Sequence, residues 1–217
     1  MQTRTKKLTV LAMLSALAYI VMVIGRIPVV MFLKYDPKDV IITIGGFLFG
    51  PLSAFVISAV VSFVEMFTVS DNGIIGLVMN IIQSCSFACT ASFIYKRKRT
   101  ITGATVGLIA SWLLTTAVML LLNYFITPIY MGLPREAVAK LLIPAFLPFN
   151  LLKGGLNAAI TMLLYKPIKK ALHKSNLMSV SEETAVTTGK VNMGTMLVSC
   201  FIIITCVLLI LVFQGYI

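Results

Sequence analysis

Residues 40–67 read VIITIGGFLFGPLSAFVISAVVSFVEMF, 28 positions among which Glu65 is the single charge. At about 1.5 Å of rise per residue, one straight helix of that length overshoots an apolar layer about 30 Å thick. Gly45, Gly46 and the pair Gly50-Pro51 interrupt the run, because glycine supplies a turn and proline opens a helix. The stretch therefore reads as a short helix ending near Phe49 and a longer one from Pro51 to Thr68, joined tightly.

The rest of the chain says what kind of layer these helices cross. Of its 217 residues 59% are hydrophobic and 12% charged, and the mean hydropathy is +1.01. That is more apolar surface than a soluble domain of this length can bury, so the chain is expected to be an integral membrane protein. Its apolar runs are long and rich in Leu, Ala and Met instead of alternating, which selects helices over barrel strands. The expected fold class is an all-α membrane bundle.

Five further spans follow from the pattern: Leu8 to Gly25, Ile74 to Tyr95, Thr102 to Thr127, Phe149 to Tyr165 and the charge-free run Met193 to Phe213. The first follows Arg4, Lys6 and Lys7, and no small-x-small cleavage site lies close behind it, so it is kept as a mature helix. This divides the chain into a six-helix membrane domain (1–173), a polar cytoplasmic linker (174–192) and an additional transmembrane helix (193–217). Residues 128–148, with Pro128, Pro134, Pro144 and Pro148, read as a surface lid holding a short amphipathic helix.

The net charge of +11 comes from basic residues clustered beside apolar runs, without the aromatic interleaving of a nucleic-acid surface. Topology is their expected role, and no nucleic-acid partner is expected. Lys96, Arg97, Lys98, Arg99, Lys166, Lys169, Lys170, Lys174 and Lys190 share a side, taken as cytoplasmic. Whether residues 40–67 make one helix or two, 12 of the 18 basic residues fall inside, so helix length and the Gly-Pro pair decide for two, with the N-terminus cytoplasmic.

Polar residues within this apolar frame are the candidates for a site. Leu33-Lys34-Tyr35-Asp36-Pro37-Lys38-Asp39 is the densest polar stretch between two apolar runs, and Asp39 suits the N-cap of the helix that follows. Asn150, Lys153 and Asn157 fall at i, i+3 and i+7, on one helical face. Lys153 could snorkel to the interface, but two amides on its stripe and the adjacent Gly154-Gly155 favour a site. Asn80 and Asn123 either bond a neighbouring helix or face a polar ligand. In the first helix Ala12 and Ala16, with Ser15 beside them, make a smooth face for another helix, within this bundle or outside it.

Chemistry is poorly supported. There is no Gly-x4-Gly-Lys-Ser/Thr phosphate loop, no His-Glu-x-x-His pair and no Gly-x-Ser-x-Gly elbow. Cys85, Cys89, Cys200 and Cys206 lie in apolar runs, as small packing residues do, and His173 is the only histidine, so no metal is expected. Glu65 and Asp71 could be imagined as an acid pair, but with one histidine and no metal-ligand cluster enzymatic activity is not expected.

Four segments carry a resemblance: Leu33 to Asp39, Gly45-Gly46-Phe47-Leu48-Phe49-Gly50-Pro51, Asn123-Tyr124-Phe125 and Phe149-Asn150-Leu151-Leu152-Lys153-Gly154. Over about residues 5–172 the chain resembles the riboflavin-specific S components of energy-coupling factor (ECF) vitamin transporters. The resemblance implies a six-helix unit with both ends cytoplasmic, capture of riboflavin outside the cell, and docking on a membrane coupling subunit served by two ATPases. It implies that Ala12 and Ala16 contact the coupling subunit. It leaves Met193 to Phe213 as a departure from the family, without a role beyond anchoring.

Riboflavin is neutral at pH 7, so it needs stacking area and hydrogen bonds, not a counter-ion. Phe32, Tyr35 and Met79 are expected to cover the ring, while Asn150 and Lys153 bond its polar edge and Asn157 continues their stripe. Asn80 and Asn123 would serve the ring edge or the chain hydroxyls, and Lys34, Asp36 and Asp39 belong to the loop ordered over the ligand. Riboflavin is then a transported substrate and no cofactor is expected. The same scaffold carrying thiamin or pantothenate, or a membrane enzyme, are the competing readings.

Overall fold

The computed structural model describes residues 2–30, 33–70, 72–132, 134–174 and 193–213. Helix α1 (Gln2–Ile24) leads into an antiparallel hairpin of β1 (Ile27–Val30) and β2 (Leu33–Tyr35). Then come α2 (Lys38–Phe49), α3 (Pro51–Thr68), α4 (Gly73–Arg97), α5 (Ile101–Met131), the short α6 (Arg135–Leu141), α7 (Leu147–Lys174) and α8 (Met193–Phe213). Among the described residues, five helical stretches are long and apolar enough to cross a membrane, and their outward faces carry exposed Leu, Ile, Val and Phe side chains. The chain is a multi-pass membrane protein of the all-α class.

Two helices do occupy residues 40–67. Gly50 takes φ 94°, in the left-handed region open to glycine, and Pro51 stands at the first position of α3, where its missing amide donor costs nothing. The consequence is packing: α2 is only 12 residues long and every residue from Lys38 to Leu48 is buried. It sits inside the bundle, against α1, α3, α4 and α7. Its apolar side chains Val40, Ile41, Ile44 and Phe47 join Val10 and Leu14 of α1, Ile57 and Val61 of α3, and Phe87 and Ala91 of α4 in the main core.

Close approach of α5 and α7 brings the polar faces of both helices together, and it depends on Gly154. A Cβ there would lie 2.2 Å from Cδ1 of Trp112. Gly154→Ala should therefore displace the Trp112 ring and destabilise the protein by about 1 to 3 kcal/mol, read by thermal unfolding in detergent.

Residues 27–30 and 33–35 pair as a hairpin that the sequence pattern does not announce, held by the pairs Ile27 with Tyr35 and Pro28 with Lys34. Two expectations are corrected. Residues 128–148 are not a separate lid: Pro128 lies inside α5, and α6 runs through a wide π-helical turn, Leu142–Phe146, directly into α7. Val138 and Phe146 bury that segment against the bundle. Asp39 does not cap α2, because Pro37 holds the cap position and the Asp39 carboxylate is taken by side chains of other helices. The expected linker lies almost wholly outside the described residues.

Charges sort to the two ends of the bundle. Lys7 lies 5.8 Å from the ring centroid of Phe49 at the end of α2. Nearby, the hydroxyls of Tyr95 and Tyr165 meet at 2.6 Å and Phe47 packs on both rings, pinning the basic ends of α4 and α7 together. The N-terminal basic residues, Lys96 to Arg99 and the basic tail of α7 thus share one end. The hairpin occupies the other.

Candidate functional site

A polar cleft opens at the hairpin end, and its lining comes from five places in the chain. Arg26, Leu33, Lys34 and Asp36 come from the hairpin and its flanks, Glu65 and Ser70 from the end of α3, and Asn72, Gly76, Met79, Asn80 and Gln83 from the start of α4. Met119 and Asn123 of α5 and Phe149, Asn150 and Lys153 of α7 complete it. Seven expected residues therefore line one cleft: Lys34, Asp36, Met79, Asn80, Asn123, Asn150 and Lys153. Spacing brought Asn150 and Lys153 together, and the fold brought the rest.

The remaining expected residues lie elsewhere. Tyr35, Asp39 and Asn157 are buried beneath the cleft in one network: the Tyr35 hydroxyl donates to Asn157 at 3.0 Å, and the Asn157 amide donates to Asp39 at 3.4 Å. Ser84 and Gln83 of α4 donate to the same carboxylate at 2.5 and 3.2 Å. A buried carboxylate needs such donors, and with three of them Asp39 ties α2 to α4 and α7. Phe32 and Asp71 lie outside the described residues. Ala12 and Ala16 are exposed on the outward face of α1, while Ser15 turns inward and donates to the carbonyl of Leu11.

Two ion pairs hold the cleft's walls. Lys153 donates to Asp36 at 3.1 Å, joining α7 to the hairpin, and Lys38 donates to Glu65 at 2.5 Å, joining α2 to α3. Both pairs are almost wholly buried. Burial forces the pairing, since an unpaired charge here would cost several kcal/mol. Lys38, Glu65, Gln83 and Arg26 were not singled out as site residues. A lone Glu65 in an apolar run was itself a signal, because it demanded a buried cation somewhere in the chain. Glu65 of the conceived acid pair meets Lys38, and Asp71 lies outside the described residues.

Burial alone would push the Asp36 carboxyl up, but the ammonium groups of Lys153 and Lys38, with Arg26 beyond them, outweigh burial and hold it below its ordinary value of 3.8. A carboxyl lowered on folding contributes stability that is fully present above its unfolded value and is lost as pH falls through the lower folded one. The stability difference between the parent and Asp36→Asn should therefore stay level from about pH 8 to pH 5, as read by thermal unfolding at each pH.

An apolar exterior, a buried charged network and a polar cleft at the hairpin end define a class: a membrane-embedded protein that binds a small molecule. Residues 6–165 match the family described as ECF transporter, substrate-specific component. The chain is 29% identical over 181 residues to the riboflavin transporter RibU of Staphylococcus aureus, covering 79% of this chain and 94% of that one. It is 28% identical over 179 residues to the riboflavin transporter FmnP of Bacillus subtilis, covering 76% and 93% respectively. A solved S component of a bacterial ECF transporter superposes with a TM-score of 0.66 at 29% identity, covering 78% of this chain and 98% of its own. The chain belongs to the substrate-specific components of ECF transporters.

Proposed function

We propose that this S component captures riboflavin at the hairpin end of the bundle, on the outer side of the cell membrane, and hands it on by docking with an ATP-driven coupling module. The observation that carries the choice of ligand is the state of the cleft's charges. Lys153 is already paired with Asp36 and Glu65 with Lys38, so neither a ligand carboxylate, as in pantothenate, nor a ligand cation, as in thiamin, meets an uncompensated buried partner. A neutral ligand with apolar faces and a polar edge suits these buried pairs, while Arg26 and Lys34 add two less buried cations to the lining. Met79 and Phe149 offer cover, and Asn80, Asn123, Asn150 and Lys153 offer hydrogen bonds. The two relatives named as riboflavin transporters support the same ligand.

The test is co-purification. Protein isolated from riboflavin-containing cells should be yellow and release riboflavin on denaturation. Colourless protein that releases thiamin or pantothenate would overturn the choice.

The gathering of basic residues at the end opposite the cleft supports an inward N-terminus and an outward cleft, by the positive-inside bias. The exposure of Ala12 and Ala16, two small residues one turn apart on α1, supports that face as the contact for the coupling subunit. Ala12→Trp or Ala16→Trp should abolish co-purification with the coupling module yet leave riboflavin affinity in detergent within about twofold, because neither residue touches the cleft. A parallel loss of both would assign the pair to internal packing.

A further inference from the structure

Helix α8 lies beyond the residues matched to the family. It does not stand apart as an anchor. Cys206 and Ile210, one turn apart, are its most deeply buried apolar side chains, and Ser199, Ile202 and Ile203 continue their stripe. This stripe runs along α7 and reaches β1. Cys206 and Ile210 share one apolar cluster with Val29 and Tyr35 of the hairpin and with Phe149, Leu152 and Leu156 of α7. The opposite face of α8, with Phe201, Ile204 and Val207, is exposed.

That cluster lies directly behind the site. Helix α7 turns Asn150 and Lys153 toward the cleft and Leu152 and Leu156 toward the cluster that holds α8. Tyr35 has its ring in the cluster and its hydroxyl on Asn157, the entry to the network beneath the cleft floor. The hairpin itself is slight: its strands are four and three residues long, and the register is broken between Pro28 and Val30, so it depends on what packs against it, this cluster beside the Lys153–Asp36 pair and the Tyr35–Asn157 bond. A two-stranded ribbon of that size is marginal without packing beneath it.

We propose that α8 is a strut for the binding site: by completing the apolar bed under Val29 and Tyr35 it fixes the hairpin against α7 and sets how long the ligand stays bound. Cys206 and Ile210 are positioning residues in this scheme and touch no ligand. The inference rests on the cleft being the riboflavin site, but the strut itself can be tested without ligand.

The experiment compares full-length protein with Ile210→Ala, Cys206→Ala/Ile210→Ala, the conservative Ile210→Val, and Val207→Ala on the exposed face. Backbone hydrogen exchange of ligand-free protein should speed up about tenfold in residues 27–30 and 33–35 of the two alanine variants, with α2 and α3 unchanged. Riboflavin release, followed by recovery of flavin fluorescence, should be about fivefold faster or more, with association changed less than about twofold. Ile210→Val should recover most of both effects and Val207→Ala should match the parent. Unchanged hairpin exchange, or exchange rising equally through α2 and α3, would overturn the strut. A parent protein that does not bind riboflavin would overturn the ligand while the exchange data still decide on α8.

Discussion

Lys153→Ala should weaken riboflavin binding by about 5- to 150-fold, equivalent to about 1 to 3 kcal/mol, as read by fluorescence titration in detergent. Two losses coincide in this variant. The cleft loses a donor that the ligand's polar edge needs, and Asp36 loses the ammonium it meets at 3.1 Å. A second variant separates them: in Lys153→Ala/Asp36→Asn no carboxylate is left orphaned, so any deficit from hairpin distortion should recover. If the ammonium serves the ligand directly, affinity stays low in the double variant. Recovery to the parent value would reassign Lys153 to holding the hairpin alone.

Glu65→Ala should lower stability by about 3 to 5 kcal/mol, because it strands the ammonium of Lys38 where both side chains of the pair are 3% exposed or less. Thermal unfolding of ligand-free protein measures this directly. Removing both charges with volume kept, as in Lys38→Met/Glu65→Met, should recover part of the loss, since a buried ion pair and a well-packed apolar pair are often close in energy but Asp36 then loses one of its neighbouring cations. The single variant should also bind ligand more weakly, because Glu65 lies on the cleft wall and its pair sets the distance from α2 to α3. A Glu65→Ala protein as stable as the parent would mean that water or another group reaches Lys38.

What the sequence disclosed and what it concealed divide along one physical line, the reach of the interaction. The break between α2 and α3 was legible because it is local: a positive-φ glycine followed by a first-turn proline announces itself within two residues. The shared face of Asn150, Lys153 and Asn157 was legible from helical spacing, yet Asn157 sits deeper than the cleft and bonds Tyr35 and Asp39 instead of lining the site. Asp39 looked like a helix cap because capping is the local option for an aspartate before an apolar run. It is diverted by Ser84 and Gln83, 45 and 44 residues away. The same holds for Lys38 with Glu65 and for Lys153 with Asp36, 27 and 117 residues apart. The hairpin escaped notice because its strands are too short to show a period-two pattern. The role of α8 was hidden for a related reason, since an uncharged helix reads alike whether it faces lipid or a binding site.

Titration of the purified, ligand-free full-length protein with riboflavin tests the central claim most directly, with the parent and Lys153→Ala run side by side. The account predicts saturable quenching of flavin fluorescence with one riboflavin per chain, and a shift of the curve to higher concentration in Lys153→Ala. No quenching by the parent, or curves that coincide, would contradict a riboflavin site built around Lys153 at the hairpin end of the bundle.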